Sequence, residues 1–279
     1  MKFYKLATLV AGLSLVAGVA LAQNQSFPEG STMARLAEAG SIRIGAKFDQ
    51  PGIGQRNLSG QPEGFDIEVA KMVAKALGIE ESNIEWVETV AINREPFLQQ
   101  DKVDIVVANY LVNAERRKAV TFAGPYLTGG LDIVVMAGNP NGINGPEDLA
   151  GRPTCMTNGG SSIGVMRRDF PEVNVVAFDV QSKCLEALKN GSVDAISSPN
   201  FIMAGYVQRE AGTVELLNKP FTHEDYGIGI KKGDVGFCEF VNSVLADAAA
   251  DGRYEKAWNE TLGTFGIAYQ ELPPADPCE

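Results

Sequence analysis

Three groups of residues in this sequence have the chemistry to hold or move charge. The run Asn158-Gly159-Gly160-Ser161-Ser162 stands just before residues 161–170, a stretch with helical periodicity. Backbone N–H groups at a helix N-terminus, helped by serine hydroxyls, form a ready site for an anion. Plain helix capping by Ser161 is the alternative for the same run, and the two roles are compatible. Arg94 and Arg116 form the second group, because a guanidinium is always charged and its rigid fork fits a carboxylate through two hydrogen bonds. Taken alone, Arg116 reads more readily as a solvated arginine in the charge run Glu115-Arg116-Arg117-Lys118, and Arg94 as an ordinary residue at a helix start. The third group, His223-Glu224-Asp225, is the one suggestive cluster for general acid or base work. No Ser-His-Asp order, nucleophile elbow, Walker loop or metal-ligand spacing accompanies it, and His223 is the single histidine of the chain. These residue types favour holding an acid group over catalysis.

The elements that must place these groups alternate between strand and helix. Ile42-Arg43-Ile44 is a short strand. Over residues 65–77, Phe65, Val69, Met72, Val73, Ala76 and Leu77 share one helical face, and Gly78 is a natural stop. Ile84-Glu85-Trp86-Val87 is strand-like, 93–100 helical and 103–108 a buried strand, so this βαβ alternation predicts a parallel sheet covered by helices. The pattern restarts with a strand at 131–136, a short helix at 146–149, and strands at 152–156, 173–178 and 193–196 separated by helices at 161–170 and 182–189. A helix around 201–210 and a strand at 214–217 close that unit. A strand at 226–230 and helices at 235–250 and 254–262 follow. The expected organisation is an α/β fold of two lobes, each a sheet flanked by helices. Lobe 1 comprises residues 32–127 with 226–265, lobe 2 is inserted as 130–222, and 266–279 is a C-terminal tail. Crossings near 127–131 and 222–226 would form a two-stranded hinge.

Residues 1–22 read as a segment apart from the fold. Lys2 and Lys5 precede an apolar run ending in Val19-Ala20-Leu21-Ala22, the anatomy of a cleaved secretory signal peptide. The run is short for a membrane anchor, and no cysteine near the cut offers a site for lipid. Without these residues 257 of 279 remain, and the formal charge moves from −11 to −13. That length is at the upper edge of what one core supports, which favours two lobes. Such an acidic surface argues against nucleic acid and anionic membrane as partners, while leaving room for a locally basic pocket. Cys155, Cys184, Cys238 and Cys278 contain no CxxC pair, which argues against structural zinc, and their even number in an exported protein favours disulfides with three possible pairings. The preferred pairing is Cys155–Cys184 with Cys238–Cys278, since each bond closes a loop within one half of the chain. The second would staple a tail rich in proline (Pro273, Pro274, Pro277) to the body.

Several segments carry a family resemblance, in the right order from about residue 42 to about 265. They include Ile44-Gly45-Ala46-Lys47-Phe48-Asp49-Gln50-Pro51-Gly52, Gly64-Phe65-Asp66-Ile67-Glu68-Val69-Ala70 and Asn93-Arg94-Glu95-Pro96-Phe97-Leu98. Further along come Glu115-Arg116-Arg117, Val120-Thr121-Phe122-Ala123-Gly124-Pro125-Tyr126, Gly191-Ser192-Val193-Asp194-Ala195-Ile196 and Tyr226-Gly227-Ile228-Gly229-Ile230. Together they resemble the bacterial family 3 solute-binding proteins of the polar-amino-acid type, especially glutamate- and aspartate-binding members. The resemblance implies two lobes closing on a solute in the cleft between them, and a disulfide between Cys155 and Cys184. The chain is accordingly expected to be a periplasmic monomer without cofactor or metal. Its expected partners are a small polar carboxylate and the membrane permease of an ABC importer, with no nucleic acid.

Residue by residue, the resemblance gives Arg116 the solute's α-carboxylate and Arg94 its side-chain carboxylate, with Lys47 adding to the positive field. Phe48 and Tyr110 become candidate walls for the carbon chain. Asn158, Gly160, Ser161 and Ser162 would grip the carboxylate from the second lobe, Asn113 can donate and accept hydrogen bonds, and Asn200 offers a neutral carbonyl. Two departures stand out. Leu111 occupies a place where the family has a ligand-bonding Ser or Thr, and Pro199 one where it has an aspartate for the α-ammonium. A buried ammonium without an anion is costly. Either Asp225 or Glu224 replaces that acid, or the ligand is an amine-free carboxylate or opine-like solute. Two further readings are a cleft enzyme such as a dehydratase on the same scaffold, relying on residues 223–225, and a ligand sensor read by a receptor.

Overall fold

The computed structural model describes residues 26–279; the signal peptide expected over residues 1–22 lies outside them. The chain opens with helix α1 (Thr32–Ala39), strand β1 (Ile42–Ala46) and a small antiparallel sheet of β2 (Asp49–Gln50), β3 (Gly54–Arg56) and β4 (Pro62–Glu63). Then come α2 (Phe65–Ala76), β5 (Ile84–Glu88), α3 (Arg94–Gln99), β6 (Ile105–Leu111), α4 (Ala114–Ala119) and the long strand β7 (Val120–Gly129). A second series follows: β8 (Leu131–Met136), β9 (Pro153–Thr157), α5 (Ser161–Asp169), β10 (Asn174–Phe178), α6 (Gln181–Lys189), β11 (Ala195–Pro199), α7 (Asn200–Arg209) and β12 (Val214–Leu216). Strand β13 (Glu224–Lys231) and helices α8 (Val235–Ala250) and α9 (Arg253–Glu260) complete the body.

Two five-stranded sheets result, in the orders β5-β1-β6-β13-β7 and β10-β9-β11-β8-β12. Strand β1 pairs in parallel with β5 and β6, and β9 with β10 and β11, as βαβ alternation predicts. The strands next to the chain crossings depart from that pattern. Strand β13 runs antiparallel to β6 and β7, and β8 antiparallel to β11 and β12. The chain leaves one sheet along β7 and returns along β13, so the pair must point in opposite directions. At the crossing itself Gly129-Gly130 leads into β8, and a Cβ on Gly130 would lie 2.2 Å from the Thr222 carbonyl oxygen. Backbone therefore packs directly on backbone between the two connections.

One buried cluster runs through both lobes, and each lobe adds a smaller cluster of its own. In the first lobe, Phe65 at the start of α2 meets Trp258 edge-on at 5.3 Å and Tyr254 at 5.5 Å, all fully buried. Such aromatic contacts add to the burial of large apolar surface. In the second, the disulfide Cys155–Cys184 ties α6 to β9, while back in the first lobe the disulfide Cys238–Cys278 fastens the tail to α8. The tail also covers β7, which is an edge strand: the Asp276 N–H donates to the Gly124 carbonyl at 2.8 Å, and Thr128 Oγ1 donates to Gln270 at 2.8 Å. Covering an edge removes a surface open to strand pairing with another chain.

Two local features escaped the periodicity. Helix α1 shows no clear apolar face, because only Met33 and Leu36 are buried. Its ends are nonetheless marked, since Ser31 Oγ accepts from the Ala34 N–H at 3.1 Å and Gly40 takes the left-handed φ of 62°. The small β2-β3-β4 sheet has strands of two or three residues, too short for any period to show.

Candidate functional site

A cavity lies between the two sheets, lined from the first by Lys47, Gln50, Arg94, Asn109, Leu111 and Arg116, and from the second by Thr157, Gly160, Ser161, Ser162, Gln181 and Ser198. Pro199, Ile202 and Tyr226 close the wall beside the crossings. Strand β6 shows how the first lobe presents its share. Asn109 and Leu111 line the cavity and Tyr110 does not, the strand being bent at Asn109, which takes a left-handed φ of 40°. The Asn109 N–H donates to Asp66 Oδ2 at 2.8 Å, its side-chain amide donates to Gln50 Oε1, and its Oδ1 accepts from Arg94 at 3.1 Å. Asp66, held also by the Tyr126 hydroxyl at 2.6 Å, has its pKa pushed up to about 6 by burial.

Arg94 is buried, and its guanidinium donates to the Ala108 carbonyl at 2.6 Å. Burial first, and then the nearby Arg116, lower its pKa to about 10, so it stays charged at neutral pH. Its Nε has no hydrogen-bond partner in the protein, nor does Gln181 Nε2. Buried donors are nearly always paired in folded proteins, so two orphan donors on residues of one cavity call for acceptors on a ligand. Arg116 sits in the short helix α4, capped by Asn113, whose Oδ1 accepts from the Arg116 N–H at 2.9 Å. Its guanidinium donates to the Leu111 carbonyl at 3.0 Å and, across the cleft, to the Gly159 carbonyl at 2.7 Å, with Glu95 3.4 Å from Nε. Tyr110 lies beneath both arginines, its ring centre 5.2 Å from the Arg94 guanidinium carbon and 5.1 Å from that of Arg116. It supports both cations by packing and cation–π attraction and is not itself in the cavity lining.

The remaining candidates divide. Lys47 is buried at the cavity with its Nζ 3.1 Å from Asp49 Oδ1. Gly160, Ser161 and Ser162 bring the positive end of α5 to the cavity wall. Ser161 is the first residue of α5 and does not cap it, since the N-cap is Gly160 and the Ser161 hydroxyl donates to Glu224 Oε2 at 3.2 Å. Besides Tyr110 and Asn113, four candidates lie outside the lining. Phe48 packs under Arg56 at 4.1 Å, Asn158 donates its N–H to Phe178, and Asn200 Oδ1 accepts from Phe201 at 2.9 Å. Asp225 stands half-exposed beside His223 at 3.5 Å. Asn113 is at the outer rim with Arg116, His223 and Glu224. The lining residues Gln50, Asn109, Thr157, Gln181, Ser198, Ile202 and Tyr226 were not anticipated. Asn109, Gln181 and Ser198 carried no local signal, since β6 is buried on both faces from Ile105 to Tyr110 and shows no two-residue period.

The lobes touch around this cavity. Asp49 accepts from the backbone N–H groups of Gln181 at 2.9 Å and Ser182 at 3.4 Å, capping α6 from the opposite lobe, since α6 has no side-chain cap of its own. The Tyr206 hydroxyl, also from the second lobe, donates to the Asp49 carbonyl. Tyr206→Phe removes this bond without touching the cavity and is expected to weaken ligand affinity about fivefold, the ~1 kcal/mol of one hydrogen bond. Titration calorimetry reads this, and an unaltered affinity would show that the contact adds nothing to closure.

Two α/β lobes joined by paired crossings, with a charged cavity closed between them, define a receptor for a small solute. The chain belongs to the bacterial extracellular solute-binding proteins, family 3, whose model matches residues 42–264. The glutamate-binding protein GluB of Corynebacterium glutamicum is 33% identical over 277 residues, covering 96% of this chain and 94% of that one. The ABC transporter glutamine-binding protein GlnH of Bacillus subtilis is 33% identical, covering 83% of this chain and 84% of its own. Among solved structures, a solute receptor for L-cysteine of Neisseria gonorrhoeae superposes with a TM-score of 0.82 at 29% identity, covering 87% of this chain and 99% of that one.

Proposed function

We propose that the protein is a periplasmic, monomeric receptor that captures an acidic amino acid between its lobes and delivers it unchanged to the permease of an ABC importer. One observation carries the reading: among the described residues, the cavity lining holds Lys47, Arg94 and Arg116 and no aspartate or glutamate. Asp49 beside Lys47 and Glu95 beside Arg116 stand outside the lining, so the cavity surface itself is positive and suits a ligand with two acid ends. Arg116 and the N-terminus of α5 suit the α-carboxylate, since they approach the same point from opposite lobes. Arg94 and Lys47 suit the distal carboxylate. A ligand held this way contacts both lobes, and only such differential contact favours the closed form. The likeness to a glutamate-binding protein supports the same class of solute.

Calorimetric titration of the mature protein, freed of bound solute by unfolding and refolding, tests the reading. L-glutamate or L-aspartate is expected to bind at least tenfold more tightly than L-glutamine, and L-arginine not at all. A preference for glutamine or arginine would overturn it. A hundredfold excess of ligand over Kd stabilises the fold by about 2.7 kcal/mol, which a thermal shift detects. Mass spectrometry of the recovered ligand should show it intact, whereas turnover would establish the dehydratase-like reading. Pro199 on the cavity wall favours a second reading, an amine-free diacid, for which glutarate would bind more tightly than glutamate.

A further inference from the structure

We infer that Glu224, on the return crossing β13, is the residue that selects for a ligand's α-ammonium group. The inference rests on the acidic-amino-acid reading above and names the counter-charge which that reading lacks. Pro199 ends β11 on the cavity wall and offers neither charge nor N–H there. Two residues further on, Phe201 packs edge-on against Tyr226 with ring centres 4.9 Å apart, which brings β13 against the same wall. Tyr226 and Ser161 both line the cavity, and the hydroxyls of both donate to one oxygen, Oε2 of Glu224. Glu224 itself is buried, 5% exposed, and forms no ion pair among the described residues.

A buried carboxylate that forms no ion pair is costly, and a glutamine would accept the same two hydroxyl bonds without that cost. The charge therefore has a use outside the resting network. Each hydroxyl, having given its proton to Glu224, turns its lone pairs elsewhere, and both oxygens belong to side chains of the cavity wall. An ammonium placed there donates to Ser161 Oγ and Tyr226 Oη, with the negative charge one hydrogen bond behind them. Polarisation along such a chain strengthens each bond. Burial raises the Glu224 pKa and Arg116 opposes that rise, so the groups facing it are Arg116, Ser161 and Tyr226, with His223 and Asp225 its neighbours along the strand.

The test compares glutamate with glutarate, which is glutamate without its α-amine, on the wild-type protein and on Glu224→Gln. The substitution keeps the shape and the acceptor and removes the charge. Wild-type protein is expected to prefer glutamate. In E224Q, glutamate affinity is expected to fall about thirtyfold or more, as for a buried charge that loses its partner, while glutarate affinity changes less than about threefold. Equal losses for both ligands, or none for either, would overturn the assignment, since a purely structural bond between β13 and α5 treats the two alike. Tyr226→Phe, which removes one relay oxygen, should show the same selective loss, and keeps the test open if E224Q folds poorly. A wild-type protein that binds both acids weakly and glutamine tightly would overturn the acidic-ligand reading. Tight binding of both acids with no preference would overturn only the role of Glu224.

Discussion

Replacing Arg116 with alanine is expected to weaken binding of the acidic solute by about 2–5 kcal/mol, the cost of leaving one member of a buried, hydrogen-bonded charge pair alone. In affinity this is roughly thirtyfold to several thousandfold. The guanidinium reaches the Leu111 carbonyl in its own lobe and the Gly159 carbonyl in the other, so it stands where the lobes meet. A carboxylate beside it gains a fixed planar partner and, from α5, the positive end of a helix. Alanine removes the first and leaves the ligand's charge desolvated. The fold should tolerate the change, because α4 keeps its Asn113 cap and Arg116 contributes no apolar packing to either core. Arg116→Lys should fall between the two, since a point charge cannot hold both carbonyls and the ligand in one plane. Calorimetry with glutamate measures all three proteins, and an R116A affinity equal to wild type would remove this arginine from the site.

Gly205→Ala is expected to separate closure from folding. Gly205 lies in α7, and a Cβ there would stand 2.4 Å from the Pro51 carbonyl oxygen and 2.9 Å from the Pro51 Cβ, both in the opposite lobe. The obstacle is backbone, so it does not yield by a rotamer change. Within the helix itself alanine is the better residue by about 0.8–1.0 kcal/mol. The ligand-free variant should melt no lower than wild type, while its affinity for solute drops at least tenfold, because the closed arrangement that traps the ligand is obstructed. The opposite pattern, an unchanged Kd with a lowered melting temperature, would show that Pro51 moves aside and that the glycine serves the fold alone.

The α/β alternation was legible because the long helices α2 and α8 repeat buried apolar residues along their length and the central strands are short apolar runs buried on both faces. Helix α8 runs from Val235 to Ala250 and β8 from Leu131 to Met136, as the pattern of apolar residues indicates. The disulfides were legible from the placement of four cysteines, each bond closing within one half of the chain. The antiparallel pairing of β13 was not, since strand direction depends on where a connection crosses and leaves no mark in the strand's own residues.

The sequence by itself determined the class of fold, the family and the supply of positive charge. Those follow from local patterns that survive any packing. Which charges meet the solute was decided only by tertiary structure. Glu224 and Asp225 are adjacent in the chain and chemically alike, yet the pleat of β13 buries one behind Ser161 and Tyr226 and leaves the other half-exposed beside His223. Likewise Asp49 reads as one acid among many, and becomes the cap of a helix 132 residues away only when the two sheets face each other. A side chain's partners across a cleft depend on the mutual placement of two separately folded layers, which no window of neighbouring residues contains.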